Sequence, residues 1–123
     1  MKFRLLQFVL VVLLSLASNA RATLLYVNAS GPAPAAPYTN WASAALTIQD
    51  AVDAAVAGDE ILVTNGTYAI GGKPAGTNLC VNRVAVDKPL TLQSVNGPLF
   101  TVIQGAQVPG TTNGGGVRLG AFT

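Results

Sequence analysis

Histidine is missing altogether from the 123 residues of this chain. Every catalytic motif that needs an imidazole is thereby excluded. Cysteine occurs once, as Cys80, so no intrachain disulfide can support a small core. A lone cysteine in such a chain reads as a small buried hydrophobe rather than a reactive thiol. Charge is scarce too, with seven Lys and Arg against five Asp and Glu. Three of the seven bases, Lys2, Arg4 and Arg21, fall in the first 21 residues. Beyond them Lys73, Arg83, Lys88 and Arg118 face Asp50, Asp53, Asp59, Glu60 and Asp87, which is close to neutral. No basic stripe remains to neutralise phosphates, and nucleic acid is excluded as a partner.

Only one long apolar run is present. Lys2 and Arg4 lead into residues 5–16, which Gln7 and Ser15 alone interrupt, and Ser18-Asn19-Ala20-Arg21-Ala22 follows. A short positive segment, an apolar run and small residues at Ala20 and Ala22 compose a secretory signal peptide over residues 1–22. Cleavage is expected before Thr23, with a cut after Ala20 as the nearby alternative. The run falls short of the ~20 residues a bilayer span requires, and no later stretch approaches that length. The expected product is a secreted, extracellular or cell-surface chain without a stable membrane span. No cysteine stands at the cleavage point to carry a lipid.

About a hundred residues remain, enough for one small domain. They are rich in Ala, Val, Thr, Gly and Asn, which suits strands and tight turns better than a helical bundle. Leu24 to Asn28 reads as a strand, and Gly31-Pro32-Ala33-Pro34-Ala35-Ala36-Pro37 ends it. Tyr38 and Trp41 fall in the following loop, where an aromatic either anchors the loop to the core or stacks on a sugar. Thr47 and Asp50 resemble a capping box. Ile48, Ala51, Val52, Ala55 and Val56 then recur on one helical face, and Gly58 stands at a C-cap position, so a helix is expected from Ile48 to Ala57.

Short extended segments follow. Ile61-Leu62-Val63 precedes an Asn65-Gly66 corner, Thr67 to Ile70 is extended, and Leu79 to Val86 is extended again beyond a glycine-rich loop. Leu90 to Val95 precedes an Asn96-Gly97-Pro98 corner, and Thr101-Val102-Ile103, a second glycine-rich loop from Pro109 to Gly116 and Val117-Arg118-Leu119 complete the series. The two sets echo one another at a spacing of about thirty residues, the signature of a solenoid with two turns.

Thr47 to Ala55, Gly58-Asp59-Glu60-Ile61-Leu62-Val63 and Gly66-Thr67-Tyr68 together resemble the amino-terminal region of right-handed parallel β-helix proteins of the pectin lyase-like superfamily. Lys88 to Ser94 and Val102-Ile103-Gln104-Gly105 are similar to their second coil. The resemblance spans about Leu24 to Leu119. It implies an all-β fold: the start of a right-handed parallel β-helix, with an amphipathic amino-terminal capping helix and roughly two coils over residues 23–123. The helix would turn Ile48, Val52 and Val56 inward and Asp50 and Asp53 outward, covering the bare end of the solenoid. The chain stops at Gly120-Ala121-Phe122-Thr123 without a second cap, so a truncated solenoid is expected.

That superfamily includes polysaccharide lyases and glycoside hydrolases, and neither chemistry finds its residues here. Hydrolysis calls for two carboxyls flanking the scissile bond. Asp50 and Asp53 read as a solvated helix face, Asp59 and Glu60 as a turn pointing to opposite sides, and Asp87 as part of an Asp-Lys-Pro turn. Hydrolase motifs that join paired aspartates to a histidine are ruled out by composition. Calcium takes about six to eight oxygens, and no Asp-rich loop supplies them, so calcium enters only if a longer protein is pectate lyase-like. Arg83 and Arg118 read as solvated strand-edge charges. Gly71-Gly72-Lys73 lacks the spacing of a phosphate loop, and no lysine follows Gly114-Gly115-Gly116. Asn28-Ala29-Ser30 and Asn65-Gly66-Thr67 match the glycosylation sequon, which counts only in a eukaryotic source. No catalytic, cofactor-binding or metal residue is assigned. The expectation is a scaffold or a module binding polysaccharide or a cell-surface component; the alternative is the leading piece of a secreted lyase or hydrolase.

Overall fold

The computed structural model describes residues 20–74, 81–105, 116–118 and 121–122. All but the last three residues of the expected signal segment lie outside this set, as do Cys80 and most of the second glycine-rich loop. The chain is mostly β with one short helix. Strand β1 (Leu24–Val27) is followed by a 3-10 turn (Trp41–Ser43) and helix α1 (Ile48–Ala54). Strands β2 (Glu60–Val63), β3 (Gly66–Tyr68), β4 (Lys73–Pro74) and β5 (Val81–Asn82) come next. Then come β6 (Thr91–Ser94), β7 (Thr101–Gln104), β8 (Gly116–Arg118) and β9 (Ala121–Phe122). No helix among the described residues is long and apolar enough to cross a membrane.

The strands form small sheets. In the first, β1, β2 and β6 run parallel with Leu25, Ile61 and Leu92 in one register row and Val27, Val63 and Ser94 in another. All six are buried, while in the intervening row Tyr26 and Leu62 are half-buried and Gln93 is exposed. Period-two alternation accounts for this: one face of each strand meets the core, and parallel register places like positions above one another. In the second sheet β3 runs parallel to β7, pairing Gly66 with Thr101 and Tyr68 with Ile103. Pairing Glu60 with Thr91 and Gly66 with Thr101 widens the offset from 31 residues to 35, so the Asn96 corner holds four residues more than the Asn65 corner. Across those corners Asn96 Nδ2 donates to Asn65 Oδ1 at 2.8 Å, one amide stacked on the next.

The described backbone departs from the expected run of parallel strands. Strand β8 pairs with β7 antiparallel, and β9 pairs with β6 antiparallel. The 79–86 segment contributes only the two-residue β5, which pairs antiparallel with β4. Val84 packs on the core whereas Val86 is exposed, so the two do not share a strand face. Within the loop before β4, Gly71 sits at φ +77, and a Cβ there would lie 2.9 Å from Thr47 Cβ. Gly72 sits at φ +139, and its Cβ would lie 2.6 Å from the Asn82 carbonyl oxygen. These two glycines are required by a close backbone passage, not by a phosphate.

Helix α1 starts where the sequence places it. Thr47 is its N-cap, and Thr47 Oγ1 accepts from Asp50 N at 3.1 Å. Ile48, Ala51 and Val52 are buried. The helix ends at Ala54, three residues short of expectation, and Val56 is 64 % exposed rather than inward. Seven residues are too few for a helix to persist alone, so packing holds it. Its outer boundary is the 31–45 loop. Tyr26 N donates to Tyr38 O, Ala45 N to Tyr26 O and Asn28 N to Ala45 O, which closes the free backbone edge of β1. The covering of that edge is therefore done by a loop, with the helix filling the core beside it. Tyr68, 2 % exposed, donates its hydroxyl to Thr64 O at 2.9 Å.

The row Leu25–Ile61–Leu92 is the centre of this packing. Truncation of fully buried Ile61 to alanine is expected to lower stability by about 2–5 kcal/mol. Chemical denaturation followed by circular dichroism measures it, and a loss below half a kcal/mol, the ordinary surface-site value, would show that the row is not the core.

Candidate functional site

Most of the lysine and carboxylate chemistry among the described residues gathers beside α1. Gln49, only 3 % exposed, anchors the group. Its Oε1 accepts from Ala85 N at 2.7 Å, and its Nε2 donates to Ala85 O at 3.2 Å and to Asp53 Oδ1 at 3.0 Å. One side-chain amide thus satisfies both backbone groups of Ala85, as a neighbouring strand would. Lys73 Nζ lies 3.0 Å from Asp53 Oδ1 and 3.8 Å from Asp87 Oδ2. Lys88 Nζ lies 3.7 Å from Asp87 Oδ1 and donates to Val52 O at 2.9 Å and Ala55 O at 3.0 Å. A cation on the last carbonyls of a helix satisfies orphan acceptors and meets the negative end of the helix dipole.

Two opposing influences act on Asp53. Burial pushes its carboxyl upward, but hydrogen bonds from Lys73 and Gln49 and the charges of Lys73 and Lys88 outweigh it, so its pKa lies below the usual 3.8. The Lys73 ammonium is correspondingly held above 10.5, first by its hydrogen bond and then by its attraction to Asp53. An aspartate stabilised as the anion is poorly suited to donate a proton, which general-acid cleavage of a glycosidic bond demands. An open concavity lined by Gly58, Val86, Asp87, Lys88, Pro89, Leu90 and Thr91 adjoins the group. Its only ionisable residues, Asp87 and Lys88, are paired with each other. Among the described residues no three His, Cys, Asp or Glu side chains lie close enough to hold a metal ion.

The remaining candidates are distributed elsewhere. Asp50 is exposed on α1, and Glu60 is half-buried on the outer face of β2. Asp59 is 3 % exposed and serves a turn: Oδ2 accepts from Val56 N and Oδ1 from Thr23 N, each at 2.8 Å. Arg83 is not simply solvated at a strand edge; its Nε donates to Gln104 O at 3.0 Å and its guanidinium also binds Gly71 O. The Arg118 side chain lies outside the described residues. Tyr38 packs against the core, while Trp41 meets Tyr26 edge-on, with ring centroids 4.5 Å apart and planes at 64°. Trp41 keeps 42 % of its surface exposed, so it serves its loop and still offers a face to solvent. Both sequon asparagines are engaged: Asn28 Oδ1 accepts locally from Ser30 N, and Asn65 Oδ1 accepts from the distant Asn96.

Comparison with known proteins finds no matching family, no matching curated protein and no matching solved structure.

Replacing Gln49 with leucine removes both partners of the Ala85 backbone, and the expected cost is about 1–3 kcal/mol in chemical denaturation. Loss of this tether also predicts faster hydrogen exchange at the Ala85 amide. The Asp53–Lys73 pair makes a separate prediction. A folded pKa below the unfolded one contributes stability that is fully present above 3.8 and lost as pH falls through the depressed folded value. In Lys73→Met, NMR titration should move the Asp53 midpoint upward; an unchanged midpoint contradicts the pairing.

Proposed function

We propose that this chain is an exported parallel β-helix segment, related to the pectin lyase-like superfamily, that acts as a scaffold or binding module for polysaccharide or cell-surface components. It lacks a catalytic set of its own. The observation that carries this reading is the stacking of β1, β2 and β6, and of β3 and β7, in parallel register with an asparagine above an asparagine at the corner between them. Parallel strands joined by long crossovers, with like residues in rows, are the building pattern of a solenoid. The edge-on Trp41–Tyr26 pair supports the binding role, because a part-exposed indole presents an apolar face of the kind that stacks on a sugar ring. The absence of a proton donor beside a second free carboxylate in the Asp53–Lys73–Asp87–Lys88 group argues for recognition rather than turnover.

Titration with soluble plant-type and bacterial-type polysaccharides, followed by calorimetry, tests the reading. Saturable binding is expected, and Trp41→Ala should weaken it roughly tenfold, the upper end of an aromatic stacking contribution. Binding that is indifferent to Trp41 removes the aromatic pair from the site. Turnover of pectate in the presence of calcium would replace the binding reading with an enzymatic one.

A further inference from the structure

Asp59 is the most deeply buried carboxylate among the described residues. Both oxygens accept backbone hydrogen bonds, from Thr23 N and Val56 N at 2.8 Å. Yet no lysine or arginine among the described residues forms an ion pair with it; the lysines are committed to Asp53 and Asp87. A buried anion without a counter-charge is costly even when hydrogen-bonded. One of its two donors, Thr23 N, is the nitrogen at the expected signal cleavage point.

We propose that cleavage between Ala22 and Thr23 creates the missing counter-ion: the new α-ammonium of Thr23 pairs with the buried Asp59 carboxylate and locks the first strand into the fold. The inference rests on the reading of the chain as exported. The chemistry is amide hydrolysis by a signal-type endopeptidase. Water's oxygen joins the Ala22 carbonyl carbon as the C–N bond breaks, so Ala22 leaves as a carboxylate and the Thr23 nitrogen takes both water protons to become an ammonium at neutral pH. Nothing has to move afterwards. Thr23 O already accepts from Glu60 N at 2.9 Å, and β1 begins at the next residue, so the nitrogen is held at Asp59 from the carboxyl side. Residues 20–22 are exposed and outside any helix or strand, as a protease substrate must be, and Thr23 is itself exposed, so the two remaining ammonium protons can be hydrated.

The geometry also separates the two cleavage points. A cut after Ala20 leaves Arg21-Ala22 ahead of Thr23, whose nitrogen stays a neutral amide. Only the cut after Ala22 turns the same 2.8 Å contact from an amide–carboxylate hydrogen bond into an ion pair.

The test expresses the whole precursor in a secreting host. Mass spectrometry of the exported protein should find Thr23 at its amino terminus. The comparison protein carries Ala22→Leu, which removes the small residue at that point and redirects the cut to Ala20, keeping Thr23 N as an amide. The Thr23-terminated protein is expected to have a folding equilibrium constant roughly twofold to fivefold larger. Asp59→Asn in both backgrounds should abolish that difference. Should Asp59→Asn fail to fold, the salt dependence of unfolding in the two processed forms decides, with the advantage of the Thr23-terminated form expected to shrink at high ionic strength. Equal stabilities at low and at high salt overturn the proposal, and so does an exported chain that begins at Arg21, which leaves the export reading intact. A protein retained in the cell with residues 1–22 attached overturns both.

Discussion

Parallel pairing imposes a demand that antiparallel pairing does not: after each strand the chain must complete a circuit before it can lie beside its predecessor. Here β2 follows β1 by way of the proline-rich loop and α1, and β6 follows β2 by way of β3, β4 and β5. Each circuit is long, so its closure has to be held by contacts between residues distant in sequence. The row Leu25–Ile61–Leu92 and the Val27–Val63 pair beside it supply the apolar part. A one-residue slip in either circuit would turn every inward side chain of a strand outward. Register is therefore the constraint on which the remaining structure depends.

Specific polar contacts hold that register at each turn of the chain. Asp59 joins the residue before β1 to the turn before β2, since its two oxygens bind Thr23 N and Val56 N. Gly58 N donates to Pro89 O and Thr91 N to Asp59 O, carrying the same alignment forward to β6. Gln49 and Lys88 bind the helix to the connection that leads into β6, through Ala85 on one side and the last helical carbonyls on the other. Asn65 and Asn96 do the same at the opposite corner. Most of these bonds join residues more than thirty positions apart, which is what separates a register lock from local turn chemistry.

That distinction explains how far the sequence could be read. The start of α1 was legible because Thr47 and the Ile48–Val52 face are local signals, β2 as a compact apolar run and β6 within the alternating Leu90–Val95 segment, each beside an Asn corner. The end of α1 was not. Val56 N is taken by Asp59 Oδ2, and Lys88 binds the carbonyls of Val52 and Ala55, so partners outside the periodic stretch end the helix ahead of Gly58 and send Val56 outward. Gln49 escaped notice for a related reason. A polar residue one position from the apolar face is buried only because Ala85 arrives to meet its amide, and nothing near Gln49 in sequence announces Ala85. The antiparallel approach of β8 and β9 was likewise invisible, since an extended segment does not declare the direction of its partner.

The same economy bears on function. Among the described residues Asp53, Asp59, Asp87, Lys73 and Lys88 are all engaged in fastening the circuits. Catalysis of glycosidic cleavage needs a carboxyl able to hold a proton near neutrality, and the field around Asp53 pushes the other way. Recognition of a neutral, hydroxyl-rich surface makes no such demand. In the proposed reading it needs an aromatic face and a rigid support, which Trp41 would supply with one edge on Tyr26 of β1, the strand whose backbone edge its own loop closes, and the remaining surface open. A charge-poor scaffold is also the setting in which one added ammonium counts most. With Asp59 buried and unmatched by any described lysine or arginine, the state of the Thr23 nitrogen bears on the alignment of the first row and, through β2, on every row built upon it.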